Sequence, residues 1–168
     1  MIADFPENER KPLKMILASW EAGWYECLGL FRDEELVGYT YLVGLDGKYL
    51  IDYIAVFPEV RNLGLGSQLI SLLNSYLGGS SVVIGEVENP DYTDDAAEAQ
   101  LQHRRIGFYT RNGCRDTGLR VECFGVHYII LEAGDSHCGS LDETWKLYES
   151  FYSRFLPAEK VAKHLARD

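Results

Sequence analysis

The sequence predicts an α/β domain: a mixed, mostly antiparallel sheet of about six strands with helices on both faces. Three observations predict it. Apolar runs with two-residue alternation are joined by tight-turn signals such as Asp46-Gly47. One such run passes through a glycine loop into a segment of helical spacing, Leu50 to Leu77. Further strand signals, Ser81–Glu88 and Arg120–Glu132, then alternate with helical segments to the end of the chain.

In order, residues 1 to 20 start irregular and become helical near Lys11. Glu26–Phe31 is a short strand, Arg32-Asp33-Glu34-Glu35 a charged hairpin turn, and Leu36–Leu45 the returning strand, with Tyr39, Tyr41 and Val43 on one face. After Asp46-Gly47 the apolar stretch from Leu50 to Val56 reads as a buried strand, ended by Phe57-Pro58-Glu59 because proline cannot continue a ladder. From Ser67, Leu69, Ile70, Leu72, Leu73, Tyr76 and Leu77 fall on one helical face, and Gly78-Gly79 stops the helix. Gly85, inside the strand Ser81–Glu88, suggests close approach of another backbone or a ligand. Residues 91–107 hold a helix capped near Thr93 or Asp94. Arg120–Phe124 and Val126–Glu132 form a last hairpin around Gly125, and Ser140–Asp168 is helical, with Leu141, Trp145, Tyr148, Tyr152, Phe155 and Leu156 as its packing stripe.

Length and composition bound the function. A chain of 168 residues, 46% apolar, is one domain with ample core. Its 26 acidic against 16 basic side chains give a net charge of −10, which argues against nucleic-acid binding and suits a cationic partner. No apolar run is long enough to span a bilayer. The 4 cysteines, Cys27, Cys114, Cys123 and Cys138, lack metal or disulfide spacing and read as incidental thiols in a reducing cytosol, so the expected setting is cytoplasmic, without metal.

Strand, glycine loop and helix N-terminus together make an anion site. The first amides of a helix have no intrahelical partner and the macrodipole is positive there. Gly64 and Gly66 let a phosphate approach the backbone, and Arg61 adds a charged donor. A P-loop needs Lys after its last glycine and none follows Gly66; a dinucleotide fingerprint needs a third glycine where Leu69 stands. A plain strand–turn–helix with glycines for turn geometry is the remaining structural alternative.

The arrangement R-x-x-G-x-G from Arg61 to Gly66, after a strand ending in V-x-P, resembles the acyl-CoA pyrophosphate loop of the GNAT superfamily of acetyl-CoA-dependent N-acetyltransferases. Phe108-Tyr109, with Gly113 four residues after the Tyr, resembles the second signature of that family. The likeness spans roughly Leu28 to Glu132, giving a domain over 1–168 with its core at about 26–132 and a helical extension at about 140–168. The stretch FPENER, from Phe5 to Arg10, resembles a segment that follows the first helix in many bacterial members; here only Met1 to Asp4 precede it. Either a first strand is lost or the chain starts farther upstream; a lost strand would expose a sheet edge able to pair in a homodimer.

The resemblance implies a sheet splayed at its centre, with acetyl-CoA held by Ile54, Ala55 and Val56 of the central strand and by Arg61, Asn62, Leu63, Gly64, Leu65, Gly66 and Ser67 of the loop. It implies direct acetyl transfer to a primary amine, on a small molecule or a peptide. An alkylamine of pKa ~10.4 arrives protonated, and the departing thiolate of pKa ~8.5 needs a proton. Tyr109 matches the family's acid. Glu86, in a run similar to the L-E-V-x-x-N strand end of enzymes that acetylate protein N-termini, matches the base, with Asp52 and Glu88 as alternatives. Each of these carboxylates also reads as a strand-end acid facing water. Six acids between Glu86 and Glu98, with no base among them, would favour a basic acceptor if they border the cleft, and otherwise form a solvated loop. Two other functions fit the same residues: an acyl-CoA sensor without turnover, and an interaction protein using the Trp145–Phe155 stripe.

Overall fold

The computed structural model describes residues 4–6, 9–78, 82–134 and 137–168. The chain runs α1 (Leu13–Glu21), β1 (Tyr25–Arg32), β2 (Glu35–Leu45), β3 (Lys48–Val56), α2 (Leu65–Leu77), β4 (Val83–Glu88), α3 (Ala96–Arg111), β5 (Arg115–Cys123), β6 (Val126–Ala133), α4 (Leu141–Tyr152), α5 (Ala158–His164) and β7 (Leu165–Arg167). Single 3-10 turns, Pro58–Val60 and Pro90–Tyr92, follow β3 and β4. The seven strands form one sheet in the order β1-β2-β3-β4-β6-β5-β7, and every pairing is antiparallel except β3 with β4.

The hairpins sit where turn chemistry places them. Asp46 and Gly47 take φ 49° and 75°, and Phe124 and Gly125 take 52° and 81°, the doubly left-handed turn that matches strand twist. Asp33 and Glu34 adopt the same turn at φ 49° and 68° without a glycine.

Alternation sorts the side chains to two faces. Ile84 and Ile130 join Tyr25, Tyr39, Val43, Leu50 and Tyr53 under Ile16 of α1, Tyr148 and Phe151 of α4 and Val161 of α5. Val83, Val87, Ile129 and Leu131 pack against Ile106 and Tyr109 of α3, while Leu30 and Val37 meet Leu65 and Leu69 of α2. The helices thus cover both faces, as predicted.

The structure shifts several boundaries. Helix α2 begins at Leu65 rather than Ser67, so Gly66 lies inside its first turn. Its stop at Gly78, φ 71°, stands, but Gly79 lies outside the described residues, as do Met1, Glu7 and Asn8 of the N-terminal stretch and Ser81 at the expected start of β4. Helix α3 is capped by Asp95, whose carboxylate accepts from the amides of Ala97 at 2.8 Å and Glu98 at 3.3 Å, and it continues to Arg111, so Phe108 and Tyr109 form its last turns. The tail is not helical throughout. Leu165–Arg167 pairs with Val121–Cys123 as the seventh strand.

Two irregularities shape the centre of the sheet. Strands β2 and β3 slip register where Tyr41 faces Tyr53 and Leu42 faces Ile51, leaving Asp52 as the extra residue of a bulge. Strands β3 and β4 pair only through Tyr49–Val83, Leu50–Ile84 and Ile51–Gly85, and then diverge. Gly85 is the last paired residue before the fork. A Cβ there would meet Ile51 at an ordinary 3.7 Å, so crowding is not what selects glycine.

Candidate active site

The fork opens a cleft of about 1370 Å³, lined among others by Ile54, Ala55 and Val56 of β3, Glu86 and Glu88 of β4, Arg61 to Ser67 apart from Leu63, and Phe108 and Tyr109 of α3. Leu63 is exposed. Beyond Ile51, β3 stays paired with β2 but no longer with β4, so its β4 side borders an open strand-shaped gap.

The loop at the outer end of the cleft is fixed by local conformation. Asn62 and Gly64 are left-handed, at φ 66° and 79°. Gly64 is the N-cap of α2, and Gln68 N–H, donating to Gly64 O at 3.1 Å, is an early bond of the helix, so the amides before it precede the helical ladder. Arg61 is anchored by Nε–H donating to Val56 O at 3.0 Å, which leaves the rest of its guanidinium at the lip, 3.8 Å from the Asp4 carboxylate. At Gly66 the structure shows why a side chain is excluded: a Cβ would come within 2.9 Å of the Phe108 ring. The two resemblance motifs, distant in sequence, touch there.

At the inner end the candidate carboxylates differ sharply. Glu86 lines the cleft and accepts hydrogen bonds from Tyr148 at 2.5 Å and Tyr152 at 2.8 Å, both on α4, through one carboxylate oxygen. Burial pushes its carboxyl above the usual range, outweighing the Lys11 charge and the two tyrosine donors. Asp52, its side chain 1% exposed, is ion-paired with Lys11 at 2.5 Å and accepts from Tyr25 at 2.5 Å. Glu88 is ion-paired with Arg105 of α3. Of the six acids between Glu86 and Glu98, Glu86, Glu88 and Glu98 line the cleft, and Asp95 caps α3.

Tyr109 of α3 also lines the cleft, half-buried in the cluster with Ile106 and Cys114, its ring edge-on to Phe108 at 5.3 Å. Burial pushes its phenol up to about 12, so it is protonated at neutral pH and available as a donor.

Several cleft residues escaped the sequence reading. Tyr148 and Tyr152 read as packing residues, yet their hydroxyls hold Glu86; the usable signal is that a phenol on an apolar stripe needs a buried partner. Lys11 and Tyr25 reach Asp52 from the N-terminal segment and an edge strand, with no local pattern to mark them.

A family model for an acetyltransferase (GNAT) domain matches residues 23–114, more than half of the chain. The chain belongs to the GNAT acetyltransferase family. Solved structures agree on the fold. A GNAT-family protein from Bacteroides thetaiotaomicron superposes with a TM-score of 0.71 at 21% identity, covering 92% of this chain and 88% of that one. The ribosomal-protein alanine N-acetyltransferase of Escherichia coli gives 0.57 at 20% identity, over 81% and 82% of the two chains. A GNAT-family acetyltransferase from Elizabethkingia anophelis, solved with acetyl-CoA bound, gives 0.52 at 18% identity, over 80% and 94%. No curated protein matches the chain. Among the described residues no helix is long and apolar enough to cross a membrane.

Proposed function

We infer that the protein transfers the acetyl group of acetyl-CoA directly to a primary amine, with Glu86 as general base and Tyr109 as general acid. The observation that carries this reading is the fork between β3 and β4, beside a cleft whose lining includes both a carboxylate, Glu86, and a phenol, Tyr109.

The residues present fit acetyl-CoA. The cleft volume suits a large, elongated ligand. The stretch Ile54, Ala55 and Val56, paired with β2 but not with β4, offers the groups on its β4 side, apart from the Val56 carbonyl taken by Arg61, as strand-like hydrogen bonds to an amide-bearing arm, and an amide there would polarise a carbonyl. Arg61 and the loop Asn62–Ser67 offer a guanidinium and helix N-terminal amides to a diphosphate. When bound, acetyl-CoA supplies the activated acyl thioester.

The chain's own groups manage the protons. Glu86, held by Tyr148 and Tyr152, takes the proton that makes the incoming ammonium non-nucleophilic. A base with a raised pKa is better matched to that task than an ordinary carboxylate. Tyr109 donates toward the sulfur as negative charge develops there. Because its pKa exceeds the ~8.5 of a thiol, its hydrogen bond contributes more than complete proton transfer would. The net charge of −10 supports a cationic acceptor rather than an anionic one.

The test is calorimetric titration with coenzyme A, followed by a mass-shift screen of amines with acetyl-CoA. Heat of binding with acetylated product is expected. Binding without transfer to any amine would replace the enzyme by a sensor, and no binding would remove both.

A further inference from the structure

The cleft is lined by a cation of the protein itself, Lys11. The Lys11 side chain is 16% exposed. Its ammonium sits 2.5 Å from Asp52 and lies over three rings, Tyr53, Tyr152 and Phe155, at 5.7, 5.2 and 4.8 Å from their centroids. These groups come from β3, α4 and the turn after α4, and together they form an aromatic cage closed by a carboxylate. Burial would discharge Lys11, but Asp52, Tyr53 and Glu86 outweigh it and keep the ammonium charged.

The position of this cage matters more than its existence. Asp52 is the bulged residue directly after the last β3–β4 pair on its strand, and Glu86 is the residue directly after that pair on the other. The ammonium is therefore seated at the fork, beside the carboxylate that would deprotonate an acceptor. The segment carrying Lys11 is tied to the same place. Tyr53 accepts the Lys11 amide N–H at 2.7 Å and donates to Glu9 O at 2.9 Å, and Phe5 packs edge-on against the Tyr53 ring at 4.9 Å. Farther along the cleft Asp4, bound by the Tyr39 hydroxyl at 2.8 Å, faces Arg61. The segment thus sets a carboxylate against the cation expected to meet phosphate, and an ammonium against the carboxylates expected to meet an amine.

We propose that the Asp52–Tyr53–Tyr152–Phe155 cage is the acceptor seat, that it takes a primary ammonium on an unbranched alkyl stem, and that Lys11 is its internal occupant and must withdraw before an acceptor is acetylated. This rests on the acetyltransferase reading above for the word acceptor, and on geometry alone for the seat. The apparent affinity for an acceptor falls by the fraction of molecules in which Lys11 is out of the seat, so removing the side chain raises it.

The experiment compares the wild type with Lys11→Ala and with Lys11→Met, the second retaining the stem volume should the first not fold. Thermal midpoints are measured with n-butylammonium chloride, n-butanol and tetramethylammonium chloride at equal concentration. A larger rise for the Ala variant with n-butylammonium than with the other two, and none for the wild type, is expected; equal shifts for the three additives overturn the seat. Acetyl transfer to n-butylamine and 1,5-diaminopentane is then followed by thiol release. In the variants KM should drop about tenfold, and an unchanged or higher KM overturns the role of Lys11 as occupant. Coenzyme A titration separates the two readings. No binding heat in the wild type sinks the acetyltransferase while the midpoints still decide the seat, whereas normal heat with no n-butylammonium effect sinks the seat alone.

Discussion

The Tyr148 hydroxyl donates to Glu86 Oε1 at 2.5 Å, and Tyr152, one helical turn on, donates to the same oxygen at 2.8 Å. A helix beyond the family core thereby orients the carboxylate of a central strand. Spacing of four residues puts both hydroxyls on one face of α4, and the alternation of β4 turns Glu86 toward them while Val87 faces α3. The carboxylate sits with two donors on one oxygen, in an environment that penalises its charge.

Replacing Glu86 by Gln separates stability from chemistry. Gln keeps the accepting oxygen and removes the buried charge. Glu86 has a folded-state pKa above its unfolded value, so its favourable contribution is present at pH below the unfolded pKa and is lost as pH rises through the folded one. Glu86→Gln should therefore match the wild-type melting midpoint at about pH 4 and exceed it increasingly as pH rises through the raised Glu86 pKa, while turnover falls ~10²-fold or more. Melting curves across that range check the first half; a midpoint difference independent of pH would refute it.

Tyr148→Phe should move the pH profile rather than abolish activity. The hydroxyl stabilises the ionised carboxylate, so its loss raises the Glu86 pKa further. A hydrogen bond to a charged group is worth ~1.5–3 kcal/mol, so the acid limb of kcat/KM should shift upward by about one pH unit or more. Activity well above the limb should be nearly retained. A uniform loss at every pH would mean that Tyr148 acts only as a packing residue.

The sequence carried those parts of the site whose signals are local. The Asp46-Gly47 turn, the run from Leu50 to Val56 and the Arg61–Gly66 loop are each read within a dozen residues, and the periodicity from Ser67 marks the buried Leu69, Ile70 and Leu73 of α2, although Leu72 and Tyr76, assigned to the same face, are exposed. The bulge at Asp52 left no mark, because a single acid in an apolar strand looks the same whether or not it is the extra residue of a register slip. Lys11 meets Asp52 across the whole first sheet half, from a segment whose composition reads as irregular. Strand β7 is three residues long, too short for alternation to show, and is specified by the β5 edge it completes. Ranking Glu86, Asp52 and Glu88 required partners on α1's leading segment, α4 and α3, which sequence distance conceals.

Gly66 and Phe108 make a paired prediction. A Cβ at Gly66 would stand 2.9 Å from the tip of the Phe108 ring, so Gly66→Ala should cost about 1 kcal/mol or more and weaken coenzyme A binding as the loop shifts. Phe108→Ala removes the obstacle. In a double-mutant cycle the pair should then be less destabilised than the sum of the single changes. Additive effects would show that the two motifs do not meet in the folded protein. Gly66→Asp, which places a carboxylate among the amides expected to bind phosphate, should abolish binding even with Phe108→Ala.

Tyr109→Phe tests the proposed acid. The ring lies among Ile106, Cys114 and Leu131, so deleting only the hydroxyl preserves the packing. The phenol is protonated across the working range, since burial pushes its pKa up to about 12, and its deprotonation therefore gives no limb below that value. A group engaged mainly as the thiolate departs should affect kcat and kcat/KM alike, by ~10²-fold, with coenzyme A affinity unchanged. Single-turnover rates and calorimetric titration of the same preparation provide both numbers. Unchanged turnover would take Tyr109 out of the reaction. An equal loss in coenzyme A affinity would make it a binding residue, and the proton for the leaving sulfur would then have to come from solvent.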